Sequence, residues 1–272
     1  MGDEYKYDTG MADWDPGQYR KFAAQRSAPY WDLVGLIATD RPIRRAVDLG
    51  CGDGSLTAQA ADRLGTVEMV GVDNSPAMLA DAAAHVTAGL RFELGDIAAW
   101  GPGADGSHDL VLANASLQWV PDHPSVLARW AAALAPHGQL AVQMPTNADH
   151  PSHVLAGEVA AMEPFASAFD GPPPPDQVAA NVLLPEDYAT LFHELGFAAQ
   201  VVRLQVYGHV LDSTADVVEW VRGTTLTRFF KRLPIELHEP FVDAYRLALL
   251  ARLGEHAPFF YPFKRILMWG RR

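Results

Sequence analysis

The sequence predicts an α/β fold: a doubly wound, mostly parallel sheet with a helical cap or insertion in its C-terminal half. Three observations carry that reading. Short apolar runs alternate with helical patterns as far as Met144, the rhythm of βαβ units. A glycine-rich turn, Asp48-Leu49-Gly50-Cys51-Gly52-Asp53-Gly54, joins the first run to the first helix. Beyond Met144 the rhythm breaks, and the prolines of residues 172–175 cannot be helix interior.

Residues 46–49, 69–72, 90–94, 109–113 and 139–144 read as strands. Between them, residues 55–64, 76–85 and 125–134 carry helical patterns, the last stopped by Pro136 and Gly138. Right-handed crossovers place helices on both faces and ligands at the carboxyl ends of the strands. Further on, residues 153–162, 185–195, 215–221 and 235–253 read as helices, 199–211 as β-rich and 266–269 as a closing strand. The expected division is one domain over residues 1–272. Within it, 1–40 is a helical segment over the site and 41–145 a cofactor-binding core. Residues 146–262 hold the remaining sheet elements and a substrate cap, and 263–272 the closing strand.

With 49% hydrophobic and 20% charged residues among 272, the chain can bury a sizeable core. No apolar run approaches the roughly 18 residues of a membrane span. The acidic, polar start lacks the basic-then-apolar pattern of a secretory signal. Cys51 is the single cysteine, so no internal disulfide forms and a cytoplasmic protein is expected. The net charge of -12 argues against a nucleic-acid partner, whose affinity comes from Lys and Arg on phosphates. It says little about a small anion, because charges are screened beyond about 8 Å.

Glycines in the 48–54 turn remove the Cβ that would hold a ligand off the backbone. The dinucleotide fingerprint is G-x-G-x-x-G, with a helix N-terminus aimed at a pyrophosphate. This turn is G-x-G-x-G, with Asp48 before it and Asp53 inside it. Such anions suit a cationic methyl donor better than a pyrophosphate, and a plain strand-to-helix connection is the alternative. Asp73, directly after the second strand, can accept both ribose hydroxyls. Asp73-Asn74-Ser75-Pro76 is also a good helix start with Ser75 as its cap, and the two readings coexist. In Gly95-Asp96-Ile97 the carboxylate can meet an adenine amino group or simply form a turn. Asn114-Ala115-Ser116-Leu117-Gln118-Trp119 follows the fourth strand, where a methyl group would meet its acceptor. Its plainer reading is a loop with one buried tryptophan.

Taken in order, DLGCGDG, GVDNSP, GDI and NASLQW resemble the class I S-adenosylmethionine-dependent methyltransferases. NASLQW, with AVQMPTN and PSHVLAGEVA after it, resembles the trans-aconitate 2-methyltransferases among them. The resemblance runs from Trp14-Asp15-Pro16 and the spacing of Tyr19, Phe22, Arg26 and Ser27 to Phe263-Lys264-Arg265. It implies a Rossmann-like fold, S-adenosyl-L-methionine as donor, S-adenosyl-L-homocysteine as co-product and a monomethyl ester on a carboxylate of trans-aconitate. Together with the turns read above, it gives an expected donor site of Asp48, Gly50, Cys51, Gly52, Asp73, Asn74, Asp96, Ile97, Asn114 and Ser116. Gly50 and Gly52 would line the methionine part, Asp73 the ribose, and Asp96 with Ile97 the adenine. Tyr19, Gln118 and Trp119 would position the reacting groups. Two stretches depart from the family pattern. Thr225-Leu226-Thr227-Arg228 shifts an arginine, and in Tyr261-Pro262-Phe263-Lys264-Arg265 a lysine neighbours an arginine.

A carboxylate with an ordinary pKa near 4 is ionised at neutral pH, so methyl transfer to it needs no general base. The remaining task is to align oxygen, methyl carbon and sulfur and to exclude water. The sequence shows no Ser-His-Asp arrangement and no metal-ligand cluster; His123, His150, His153 and His209 follow no ligand spacing. A polycarboxylate needs cations, best the planar fork of arginine. The candidates are Arg26, Arg222, Arg228, Lys264 and Arg265, with Arg26 first because it shares a helical face with Phe22 and Tyr19. Lys231-Arg232 and Arg271-Arg272 read as solvated surface. Trp220, Phe229, Phe230, Phe259, Phe260 and Tyr261 fit core at least as well as pocket. Other functions stay open. One is transfer to another small acid or to a natural-product hydroxyl, which would need a base such as His123 or Asp122. The other is donor binding without transfer.

Overall fold

The computed structural model describes residues 23–101 and 106–272, with side chains from residue 27 onward. In chain order the elements are α1 (Ala23–Val34), β1 (Arg45–Leu49), α2 (Ser55–Leu64), β2 (Glu68–Asp73), α3 (Pro76–Ala82), β3 (Leu90–Leu94), β4 (His108–Asn114), α4 (His123–Ala132) and β5 (Leu134–Pro145). There follow α5 (Pro151–Ala160), α6 (Phe165–Ala168), α7 (Gln177–Asn181), α8 (Pro185–Glu194), β6 (Ala199–Leu211), α9 (Asp216–Arg222), α10 (Thr227–Phe230), α11 (His238–Leu253) and β7 (Phe259–Arg271).

Apolar runs without alternation belong to strands buried on both faces, as in parallel sheets. The first five strands are parallel and lie in one seven-stranded sheet of order β3-β2-β1-β4-β5-β7-β6, with β7 antiparallel to β5. This is the doubly wound sheet that the sequence predicts. Strand order reverses at β1 and β4, so their carboxyl ends flank the crevice where such sheets bind ligands.

The chain divides into two compact units. The larger comprises Ala24–Asn147, Gln177–Tyr207 and Pro262–Arg272. On one face of its sheet, Tyr30, Leu33 and Val34 of α1 and Ala60 of α2 pack with Ala46, Leu112, Ala141 and Leu267. On the other face, Trp130 of α4 and Tyr188 and Phe192 of α8 pack with Val47, Val111, Val142 and Met268. Each large apolar side chain contributes about 1.5–3 kcal/mol by leaving water, so these clusters hold the layers. Trp130 also spends its indole N–H on the Ile97 carbonyl at 3.2 Å, which fixes the segment after β3 against the core.

The smaller unit, in its described residues Ala148–Asp176 and Gly208–Tyr261, is mostly helical. Phe165 and Phe229 each pack on Phe241 with ring centroids 5.1 and 5.0 Å apart, and Trp220 meets Tyr261 edge-on at 5.6 Å. Of the aromatics expected as core or pocket, Trp220, Phe229 and Tyr261 are buried and Phe260 is exposed. Arg232, expected as solvated surface, instead donates to the carbonyls of Pro172 (3.0 Å) and Asp170, pinning one end of the proline run.

Three boundaries that differ from the sequence reading have clear local causes. α5 begins at Pro151 because His150 accepts the Ser152 N–H and proline suits a first helical turn. α4 ends before Leu134, which already pairs with His108 as the start of β5. β7 begins at Phe259, well before the expected 266, because Pro262, Lys264 and Arg265 interrupt its apolar pattern without breaking the strand. Arg271, also read as solvated surface, lies at its end and pairs with Asp40 at 2.8 Å. No described helix is long and apolar enough to cross a membrane.

Candidate active site

Backbone geometry dictates glycine at the end of β1. Gly50, Gly52 and Gly54 have φ of 84°, 57° and 73°, the left-handed region that is costly for other residues. A Cβ on Gly50 would lie 2.2 Å from that of Ser116, whose hydroxyl donates to the Leu49 carbonyl at 2.6 Å. The turns after β1 and β4 are therefore locked together. A Cβ on Gly52 would meet nothing within 4 Å, so its backbone faces open space. The Gly50 and Cys51 N–H groups share the Val72 carbonyl at 2.7 and 3.1 Å. The Gly52 N–H donates to Asp73 Oδ2 and the Ser75 N–H to Asp73 Oδ1, both at 2.9 Å. Two backbone donors thus aim the Asp73 carboxylate, and each oxygen keeps a lone pair for a hydroxyl. Ser75 caps α3 through the Met78 N–H at 3.3 Å, and Asn74 is exposed between them.

Asp48 lies buried under the turn. Its Oδ2 accepts the Thr57 hydroxyl at 2.6 Å, and its Oδ1 has no partner. Burial raises its pKa to about 7, against the opposing pull of the Thr57 bond and with help from the Asp73 charge. Burial first, then Asp48 and Asp73, push the Cys51 thiol up, so it stays protonated. Asp53, the other anion of the turn, accepts the Ser55 amide and hydroxyl at 3.0 and 2.7 Å at the start of α2. Asp96 is exposed and holds its own turn through the Ala98 N–H at 2.8 Å, while Ile97 packs on the core.

After β4, Ala115 sits at φ 52°, a strained conformation for alanine, with its N–H on the Gln143 carbonyl at 2.8 Å. Nothing in the sequence signals this turn. Buried beside it, Asn114 Oδ1 and Gln118 Oε1 lack partners, although Gln118 Nε2 donates to the Ala115 carbonyl at 2.7 Å. Trp119 is 59% exposed, which removes the reading of a buried ring.

His123 is buried, with Nε2 2.9 Å from the Leu117 carbonyl and Nδ1 2.5 Å from the Tyr188 hydroxyl. A carbonyl can only accept, so Nε2 carries the hydrogen and Nδ1 accepts. Burial lowers its pKa, leaving a neutral ring with both nitrogens engaged. Asp122 is exposed and caps α4 through the Ser125 N–H at 3.4 Å. Neither group is placed as a base.

Tyr19 and the Arg26 side chain lie outside the described residues. In the larger unit Lys264 and Arg265 lie on β7. The Lys264 backbone is clamped by Thr146 (3.0 Å) and Asn147 Oδ1 (3.1 Å), and Arg265 is the register partner of Pro145. In the smaller unit Arg222 pairs with the exposed Glu239. Arg228 Nη1 lies 2.6 Å from Asp176 Oδ2, an oxygen also 3.2 Å from His153 Nδ1. Burial favours the neutral Asp176 carboxyl, but His153 and Arg228 outweigh it and hold its pKa well below the usual range. The charge of Arg228 is thus already balanced, by a partner far away in sequence. Among the described residues no group of three or more His, Cys, Asp or Glu could hold a metal ion.

Residues 46–138 match a family model described as a methyltransferase domain. The chain is 41% identical to the trans-aconitate 2-methyltransferase of Deinococcus radiodurans over 268 residues, covering 95% of this chain and 98% of the relative. It is 39% identical to that of Variovorax paradoxus, with 96% of each chain covered. Among solved structures it is similar to the YcgJ protein from Bacillus subtilis (16% identity, TM-score 0.58, 89% of this chain and 98% of that one). It is also similar to phosphoethanolamine N-methyltransferase 2 of Haemonchus contortus in complex with S-adenosyl-L-methionine (17%, TM-score 0.53, 97% and 60%). At such identities the two structures speak for the fold alone.

Proposed function

The chain belongs to the trans-aconitate 2-methyltransferase family of S-adenosylmethionine-dependent enzymes, and from that premise we propose that it methylates one carboxylate of trans-aconitate. The observation that carries the donor site is the set of unpartnered buried oxygens at the switch point: Asp48 Oδ1, Asn114 Oδ1 and Gln118 Oε1. Acceptors without donors suit a ligand that brings N–H groups and positive charge, as S-adenosylmethionine does with its ammonium and sulfonium. The open face of Gly52 gives that ligand room against the backbone. In this reading Gly50, Cys51, Gly52 and Ser116 line the methionine part, and Asp73 with Asn74 takes the ribose. Asp96 and Ile97 meet the adenine.

When bound, S-adenosylmethionine supplies a methyl group on a positively charged sulfur, reactive enough to need no further activation. A carboxylate oxygen forms the new O–CH3 bond while the S–CH3 electron pair stays on sulfur, and no proton moves. The chain therefore needs positioning and dryness rather than a base. The enclosed, neutral His123 agrees with that demand. Gln118 and the exposed Trp119 ring sit beside the crevice as positioning groups. The net charge of -12 tells against a nucleic-acid acceptor, and a cytoplasmic setting fits the single cysteine.

The test is methyl transfer from labelled S-adenosylmethionine to trans-aconitate, with cis-aconitate, citrate and isocitrate alongside. Label recovered in a trans-aconitate monomethyl ester is the expected result. Label in another acid of the panel, or in none, overturns the assignment of the acceptor.

A further inference from the structure

Two glutamines on one strand behave oppositely. Gln139 and Gln143 lie on β5, and alternation puts both on the α1 side of the sheet, with Ala141 between them in that cluster. Gln139 is fully served by protein. Its Oε1 accepts from the Ala38 N–H and the Trp269 Nε1–H, both at 2.8 Å, and its Nε2 donates to the Ala38 carbonyl at 2.9 Å. Gln143 is 0% exposed, yet neither Oε1 nor Nε2 has a partner. A buried amide left unsatisfied on both atoms is rare in native proteins and calls for an explanation. The same strand face shows that this fold can serve a buried glutamine.

Position supplies the explanation. Gln143 lies near the carboxyl end of β5, directly opposite Asn114 on β4 in strand register. Asn114 Oδ1 is likewise buried and unpartnered. On the other side of β5, Gln143 pairs with Leu267, and Pro145 with Arg265. Alternation along β7 from Trp269 and Leu267 puts Arg265 on the same face, one pair nearer the open end. A neutral amide and a guanidinium thus follow each other beside the proposed donor site, a pattern that fits an acid with more than one carboxylate.

We infer that Gln143 is an acceptor-binding residue: its amide N–H groups orient the carboxylate that is methylated. This inference rests on the acid-methyltransferase reading above. A cation on the reacting oxygen would draw off the charge that makes it a nucleophile, whereas a neutral N–H donor orients it and takes less. Asn114, the register partner, is placed to serve Gln143 Oε1 once the amide turns toward the acid.

The experiment compares wild type, Gln143→Met, Gln143→Glu and Gln139→Met. It reads acid turnover, S-adenosylmethionine binding by calorimetry, and the Tm of the ligand-free protein. Methionine matches glutamine in size and offers no N–H. Gln143→Met is expected to lose about 10- to 100-fold in kcat/KM for the acid, to hold its donor Kd within about twofold, and to keep or raise Tm. Gln143→Glu, which keeps the shape but repels the acid, loses more. Gln139→Met, whose bonds are structural, lowers Tm. Unchanged kcat/KM in Gln143→Met, a parallel loss of donor affinity, or a fall in Tm like that of Gln139→Met overturns the inference. A wild type that labels none of the acids overturns the earlier reading and this one with it. A wild type that labels an acid while Gln143→Met labels it equally well overturns only this one.

Discussion

Replacing Asp48 by asparagine should stabilise this protein in a way that depends on pH. Asp48 has an ordinary value of 3.8 and a folded value of about 7, set chiefly by burial. Three units at about 1.36 kcal/mol each put the penalty for keeping it ionised in the fold at about 4 kcal/mol. Because the folded value is the higher one, the stabilising contribution of the group is complete below about pH 4. It falls by about 1.4 kcal/mol per pH unit and is gone once the pH has passed about 7. Asparagine keeps the shape and the acceptor for the Thr57 hydroxyl but does not titrate. Variant minus wild type in unfolding free energy should therefore grow by roughly 3 kcal/mol between about pH 5 and pH 7.5, then level off. The constant cost of an unpaired amide N–H cancels in that difference. Paired urea titrations of ligand-free protein at about pH 5, 6, 7 and 8 measure it. A difference that does not move with pH refutes the claim that Asp48 is held charged against the fold. At about pH 8 the same variant should lose at least about tenfold in S-adenosylmethionine affinity, since charge-assisted hydrogen bonds contribute about 1.5–3 kcal/mol each.

Gly50→Ala places a methyl group against Ser116 and forces alanine to positive φ. Calorimetry should find donor affinity reduced at least about 100-fold, and donor binding within a few-fold of wild type would contradict the locked-turn account. Arg228→Ala leaves the Asp176 carboxylate without its guanidinium and should cost about 3 kcal/mol near pH 7. Asp176 has a depressed pKa in the wild type, so its stabilising contribution is complete above about pH 4 and fades as the pH falls below that. The gap between wild type and variant should narrow there, and denaturant melts at about pH 7, 4 and 2.5 report the change. With donor and acid both saturating, kcat should stay level from about pH 6 to 9, because the acceptor is already ionised and His123 is enclosed. A limb in that range in the pH–rate profile would point to a base after all.

The parallel strands were readable because a strand buried on both faces leaves an apolar run, nearly unbroken in β2 and β4 and interrupted only by Asp48 in β1. β7 was only half readable. Its first half carries Pro262, Lys264 and Arg265, so neither alternation nor continuity marks it. The glycines of the 48–54 turn were legible as a loop for a ligand, but the role of Asp53 at the start of α2 was not, since a carboxylate there serves either end. The cations show the sharper limit. Arg222 and Arg228 look alike in sequence, and what separates them is a partner far along the chain: Glu239 at the surface for one, half-buried Asp176 for the other. Gln143 left one faint signal, a lone amide in the apolar run Leu140 to Met144. Only the absence of a protein partner distinguishes it from Gln139.

Strand order also bears on how the molecule comes to be made. β7 follows both β5 and β6 in sequence, yet it lies between them. Ribosomes release chains from the N-terminus onward. β5 and β6 therefore leave the ribosome with their facing edges bare, and the strand that joins them follows both. Until then two open edges stand ready to pair with strands of other chains. The proposed acceptor side, where Gln143 meets Leu267 across β5 and β7, takes shape only once β7 is in place. A stop codon anywhere within Phe259–Arg271 would leave the turns that hold the donor already synthesised, while the sheet beside them stayed unsealed.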